Sequence, residues 1–160
     1  MAVYTKISED QLKKFFLKYS LGKLIEHKEI KEGIENTNYF IRTESGKFIL
    51  TLYEKRVDEK DLPFFIGLMK NLFDQNFPSP EPIINKNGNY ISEILGKKAA
   101  VVTFVDGNAK KNLSPENCYN VGINTAKMHL ITNNLNAKRE NKLSINSWRK
   151  IYNKVKKDCS

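Results

Sequence analysis

Between residues 24 and 105 short apolar runs alternate with turn signals, and beyond residue 106 that alternation does not return. Period-two patterning suits strands, and its replacement by helical spacing points to a sheet half followed by a helical half. Runs at 24–30, 38–43 and 48–53 read as three strands, the last two joined by Glu44-Ser45-Gly46-Lys47, so the chain starts an antiparallel meander. Ahead of it Ser8 and Gln11 have capping-box spacing, and Leu12, Phe15, Phe16 and Tyr19 form one apolar face of a helix that runs to about Ser20, with Gly22 ending it.

After the third strand comes DLPFFIGLMKNLF, in which Leu62, Phe65, Ile66, Met69, Leu72 and Phe73 give a wide apolar helical face and Asp61 sits at the favourable N-terminal end. The prolines of FPSPEP then forbid helix and favour an extended connection. Residues 82–86 and 89–94 flank Asn87-Gly88, a hairpin signal, and residues 98–105 read as a buried strand. Asp106-Gly107-Asn108 opens a polar linker. Ser114 is a helix N-cap with Pro115 at the first helical position, and Cys118, Val121, Gly122, Thr125, Ala126 and His129 share one face. A second amphipathic segment carries Ile145, Trp148, Ile151, Tyr152 and Val155.

Composition bounds the functional classes. At 160 residues and 40% hydrophobic content the chain amounts to one domain or one large piece. No apolar stretch approaches the roughly 20 residues that span a bilayer, and MAVYTKISEDQ lacks a secretory apolar segment, so a soluble cytoplasmic protein with no membrane partner is expected. Cys118 and Cys159 have neither metal-ligand spacing nor a nearby His, and both read as reduced thiols. The net charge of +9 is spread thinly among asparagines with no Arg-rich arm, which argues for compositional bias and against a nucleic-acid partner. The basic run at residues 150–157 reads as the solvated face of a helix.

The whole order, three strands, a helix, further strands, a polar connector and then helices, resembles a protein-kinase-like small lobe hinged to a helical lobe. EGIENTNYFIRTESGKFILTLYEKR, DLPFFIGLMKNLF with FPSPEPI behind it, AAVVTFVDG and VGINTAKMHL together resemble the aminoglycoside and choline kinase-like phosphotransferases, and among them the N-terminal part of those acting on homoserine. The resemblance implies an α+β fold: a five-stranded antiparallel sheet plus helices over residues 1–105, then a hinge and the first helices of an incomplete helical lobe over residues 106–160. It also implies ATP and L-homoserine as partners, Mg2+ held by residues further along the family's fold, and phosphoryl transfer to the homoserine hydroxyl on the way to threonine.

Under that resemblance the polar stretch of the first hairpin gains a role. Gly33, Ile34, Glu35, Asn36, Thr37 and Asn38 are expected over the nucleotide phosphates, where backbone N–H groups and small polar side chains serve as donors. On the residues alone this is equally an ordinary polar turn. Thr103, Phe104 and Val105 are the expected adenine hinge, since a strand end exposes backbone groups to the base edge while apolar side chains cover its faces. Their plain alternative is a strand end packed into the core.

Two departures from the family pattern stand out. The lysine it places inside the third strand falls at Thr51, and Lys55 lies about 13 Å further along an extended chain. Residues 63–73 contain only Lys70 as a charged side chain, so the usual carboxylate partner is missing too. The family's catalytic His-Gly-Asp is also absent: His27 precedes Lys28-Glu29 and His129 precedes Leu130-Ile131, which makes His27 a strand residue and His129 a packed core residue. The chain therefore reads as the front part of a longer kinase, inactive alone, with partial disorder or self-association expected where residues 130–160 lack a packing partner. Open alternatives are a choline- or aminoglycoside-type kinase and an inactive nucleotide-binding or regulatory module.

Overall fold

The computed structural model describes residues 3–55, 57–141 and 143–156. Cys159 and the end of the basic run at Lys157 lie outside them. Helix α1 (Glu9–Phe16) starts with the expected capping box, Ser8 Oγ accepting from Gln11 N at 3.3 Å and Gln11 Oε1 accepting from Ser8 N at 2.9 Å. It ends a turn earlier than expected. Lys18 and Tyr19 donate to carbonyls three residues back, tightening the last turn, yet Tyr19 stays buried and its hydroxyl donates to Ser92 Oγ at 2.9 Å.

Strands β1 (Leu24–Ile30), β2 (Thr37–Thr43), β3 (Gly46–Leu52), β4 (Ile91–Ile94) and β5 (Lys97–Thr103) form one antiparallel sheet in the order β1-β2-β3-β5-β4. Alternation divides it into two faces. Tyr39, Ile41, Phe48, Leu50, Leu52, Ala99 and Val101 point to one face and pack with Leu12, Phe15 and Phe16 of α1 into the hydrophobic core. Asn38, Phe40, Ile49, Thr51, Ala100 and Val102 point to the other.

The sheet departs from the sequence reading in its second half. Residues 82–86 form no strand; Pro82 makes a single bridge to Val102, and Ile83 N donates to Val101 O at 2.9 Å. Prolines remove donors there, Lys86 N is diverted to Lys18 O at 2.8 Å, and Asn85 Oδ1 closes its own turn by accepting from Asn87 N at 2.9 Å and Asn89 N at 3.0 Å. The two-residue hairpin of this region is Leu95-Gly96 instead, both with positive φ (52° and 70°), joining β4 to β5. β5 starts at Lys97 and ends at Thr103, two residues before the expected end of the buried strand.

Helix α2 (Leu62–Asp74), entered through a 3-10 turn (Glu59–Asp61), buries Leu62, Ile66 and Leu72, while Phe65 and Phe73 remain about a third exposed. Helices α3 (Pro115–Thr132) and α4 (Ile145–Val155) follow the polar linker and bury no described side chain. His129, expected in a core, is exposed, as is the free thiol of Cys118. No helix among the described residues is long and apolar enough to cross a membrane.

Candidate nucleotide site

The loop before β2 takes its shape from Gly33, whose φ of 109° is open to glycine but not readily to side-chain-bearing residues. Its flanks are tied down. Tyr4 Oη donates to Ile34 O at 2.8 Å, and Asn36 Oδ1 accepts from Glu54 N at 3.4 Å. Ile34 and Glu35 are exposed and, with Tyr4, Glu54, Lys55 and Lys97, line an open cleft of about 420 Å³. Lys55 thus lies beyond the end of β3, near the loop.

Entry into β2 splits the next two loop residues between opposite faces. Thr37 points to the core face and is fully buried; its hydroxyl oxygen accepts from Tyr4 N at 3.0 Å and Thr5 N at 3.2 Å and donates to Glu54 Oε1 at 2.7 Å. Its side chain is therefore committed inside the protein. Asn38 points the other way, directly opposite Thr51 in the ladder, and accepts from the Thr51 hydroxyl at 2.7 Å. The Asn38 amide N–H groups have no partner among the described residues and remain as donors on that face. Thr51 is thus a neutral hydroxyl held by an amide.

The same face carries an apolar platform. Register puts Phe40 opposite Ile49 and Ile49 opposite Val102, and the rings of Phe40 and Phe104 meet edge to face at 5.3 Å. All are half-buried. At its edge, Thr103 is paired to residue 81 through both Thr103 N to Glu81 O (2.9 Å) and Glu81 N to Thr103 Oγ1 (2.8 Å), and Phe104 N donates to Lys47 O at 3.0 Å. Val105 is the first residue past the strand whose N–H makes no backbone hydrogen bond among the described residues, and its side chain is 54% exposed. Lys47 reaches across to pair with Asp106 at 3.1 Å and sits 5.7 Å from the Phe104 ring centre.

Of the expected site residues, Asn38 and Thr51 share one sheet face near the loop and Phe104 meets Phe40 of that face at the strand end; Val105 follows beyond the strand, and alternation turns Thr37 and Thr103, the latter opposite Phe48, to the core face. Sequence reasoning missed the groups that hold the loop. Glu54 and Lys97 form an ion pair, and Glu54 Oε1 also accepts from Thr5 Oγ1 at 2.8 Å. Burial pushes the Glu54 carboxyl up, but hydrogen bonds from Lys97, Thr37 and Thr5 outweigh it and hold the group below the ordinary carboxylate range. The two residues are 43 positions apart, and only the pairing of β3 with β5 brings them together.

Around α2 the described carboxylates stand at the ends. Asp61 pairs with Arg139 at 2.8 Å, whose guanidinium lies 4.9 Å from the Phe65 ring centre, and Asp74 pairs with Lys70. No group of three or more His, Cys, Asp or Glu among the described residues could hold a metal ion. The face can donate hydrogen bonds and cover an aromatic ring.

Comparison with known proteins bears on the family and the fold. The chain is 44% identical to a homoserine kinase of Brucella anthropi over 96% of its own length and 47% of that protein's. It is 43% identical to one of Beijerinckia indica, over 98% and 49%. It thus spans about half the length of the curated relatives it matches. Among solved structures an amicoumacin kinase in complex with AMP-PNP, Ca2+ and Ami superposes with a TM-score of 0.65 at 18% identity, covering 83% of this chain and 42% of that one. A spectinomycin phosphotransferase in complex with ADP and spectinomycin gives 0.64 at 16%, covering 98% and 48%. At such identities the likeness speaks for the fold, the protein-kinase-like one. Since the phosphotransferase enzyme family matches residues 26–158, from β1 past the end of α4, the chain belongs to that family.

Proposed function

We propose that this chain is the nucleotide-binding front part of an ATP-dependent homoserine kinase, which phosphorylates the side-chain hydroxyl of L-homoserine to O-phosphohomoserine, a step towards threonine. The observation that carries the reading is 44% identity, across nearly the whole chain, to a relative named for that activity. Residues 1–105 are the nucleotide-binding lobe and residues 106–160 the hinge and start of the helical lobe. ATP supplies the phosphoryl group. The chain's own residues bind and orient it: backbone around Gly33 and the amides of Asn36 and Asn38 meet the phosphates, with the Thr51 hydroxyl beside them. The platform of Phe40, Ile49, Val102 and Phe104 covers the base, and the Val105 N–H meets its edge. Thr103 fixes the strand end through residue 81, and Thr37 serves by anchoring the loop. Ile34 and Glu35 form its exposed rim. Mg2+, which bridges phosphates in such reactions, would take its ligands from outside the described residues.

The test is ATP turnover with Mg2+ and L-homoserine, serine or choline as acceptor, on this chain and, where its reading frame runs on, on the longer polypeptide. Turnover confined to homoserine and to the longer form is expected, with Asn38→Ala weakening ATP affinity at unchanged folding. Turnover with choline but not homoserine would overturn the acceptor. ATP binding without turnover in a folded longer form would leave a binding or regulatory module.

A further inference from the structure

The network that holds the 33–38 loop is built from the N-terminal segment, and it lies on the sheet face opposite the nucleotide platform. Thr5 is its centre. Its N–H donates to Thr37, its hydroxyl donates to Glu54 and accepts from Lys97 Nζ at 2.6 Å, and its carbonyl accepts from Tyr39 Oη at 3.0 Å. Tyr39 Oη in turn accepts from Ile7 N at 3.0 Å, so residues 4–7 are stitched to β2, to the end of β3 and to the start of β5. Glu54 is the shared acceptor: its side chain is only 9% exposed, one oxygen takes two hydroxyls and the other takes the Lys97 ammonium. Its backbone N–H also reaches Asn36. Side-chain ties on residues 34, 36 and 37 run through Tyr4, Thr5 or Glu54.

We infer that residues 4–7 act as a strap, and Glu54 and Lys97 as its positioning pair, holding the 33–38 loop in the geometry that receives nucleotide phosphates. The inference rests on the phosphate role proposed for that loop. None of these groups faces the platform, so none touches the base. Lys97 shares a face with Ala99 and Val101, so this partly buried cation works from behind the sheet, through Glu54 and Thr37. An amide in place of the carboxylate keeps one acceptor oxygen but sets an NH2 donor among the Lys97 ammonium and the two hydroxyls, so the shared acceptor is lost and the anchor of the loop at Thr37 weakens.

The strap predicts a phosphate-selective effect, which separates positioning from general damage. ATP and adenosine affinities would be measured by calorimetry on the chain and on Glu54→Gln, with amide hydrogen exchange following residues 33–38. Expected are a roughly tenfold or greater loss for ATP, little change for adenosine, and faster exchange in the loop. Tyr4→Phe removes only the bond to Ile34 from an exposed ring and gives a milder change of the same kind, which keeps the test available if Glu54→Gln does not fold. Unchanged loop exchange would overturn the strap. Faster exchange with unchanged ATP affinity would overturn its functional role, and Asn36→Ala and Asn38→Ala then identify the fault: if they weaken ATP binding, the loop reading survives and the strap alone fails; if they do not, the loop reading fails. Equal losses for ATP and adenosine would mark a structural defect and overturn the inference as well.

Discussion

In β2, β3 and β5 the side chains of Ile41, Leu50, Leu52 and Ala99 are shut off from solvent, whereas α3 and α4 bury no described side chain and leave Trp148 60% exposed. Local chemistry does not separate these regions. α1 begins with a capping box at Ser8 and Gln11, and α3 begins with the same device at Ser114 and Asn117, each bond 3.2 Å. What differs is what each helix meets. α1 lays Leu12, Phe15 and Phe16 on a sheet, while the apolar stripe of α4, with Ile145, Trp148, Ile151 and Val155, stays exposed. Capping specifies where a helix starts; burial against another layer gives it most of its stability.

That contrast can be tested hardest in the sheet. Leu50→Ala empties a fully buried position between β2 and β5 and should cost about 2–5 kcal/mol in urea unfolding followed by circular dichroism. A loss below about 1 kcal/mol would mean that the sheet core is not the seat of stability.

A smaller effect should appear with pH. The folded Glu54 carboxyl lies below its unfolded value, so its stabilisation is complete above the unfolded value, about 4.3, and is lost as pH falls through the folded one. Lys97 faces it directly, with Glu35 and Lys55 in the adjoining cleft. The difference in melting temperature between the unsubstituted chain and Glu54→Gln should therefore narrow below about pH 4. A pH-independent gap would show that the charge contributes nothing.

The smallest change belongs to α4, where Trp148→Ala should alter the sheet's unfolding midpoint by no more than about 0.5 kcal/mol. The Trp148 indole N–H donates to Leu143 O at 2.8 Å within its own segment, so the loss is local. A loss comparable to Leu50→Ala would erase the distinction between the two regions.

Much of the fold was legible in the chain because its signals are short-range. The Ser8 box, the Glu44-Ser45 turn and the alternation of β2 and β3 each involve residues close in sequence. Reading failed where a local signal had a competitor. Asn87-Gly88 looks like a hairpin turn, but Asn85 closes that corner with its own side chain and the sheet turns at Leu95-Gly96. The expected site was legible in part. Asn38, Thr51 and Phe104 share a face, yet Thr37 was counted with them although alternation turns it to the core.

By itself the sequence determined the elements, their caps and the period of each strand, since these depend on neighbouring residues and on backbone sterics that any folded context respects. Tertiary structure alone decided which face of the sheet α1 would cover, and so which loop residues remained open. It also decided that Glu54 would meet Lys97 and Thr5. Those partners lie 43 and 49 positions away, and nothing in the intervening chain encodes their meeting except the long-range pairing of β3 with β5 and the return of the N-terminal segment across the sheet.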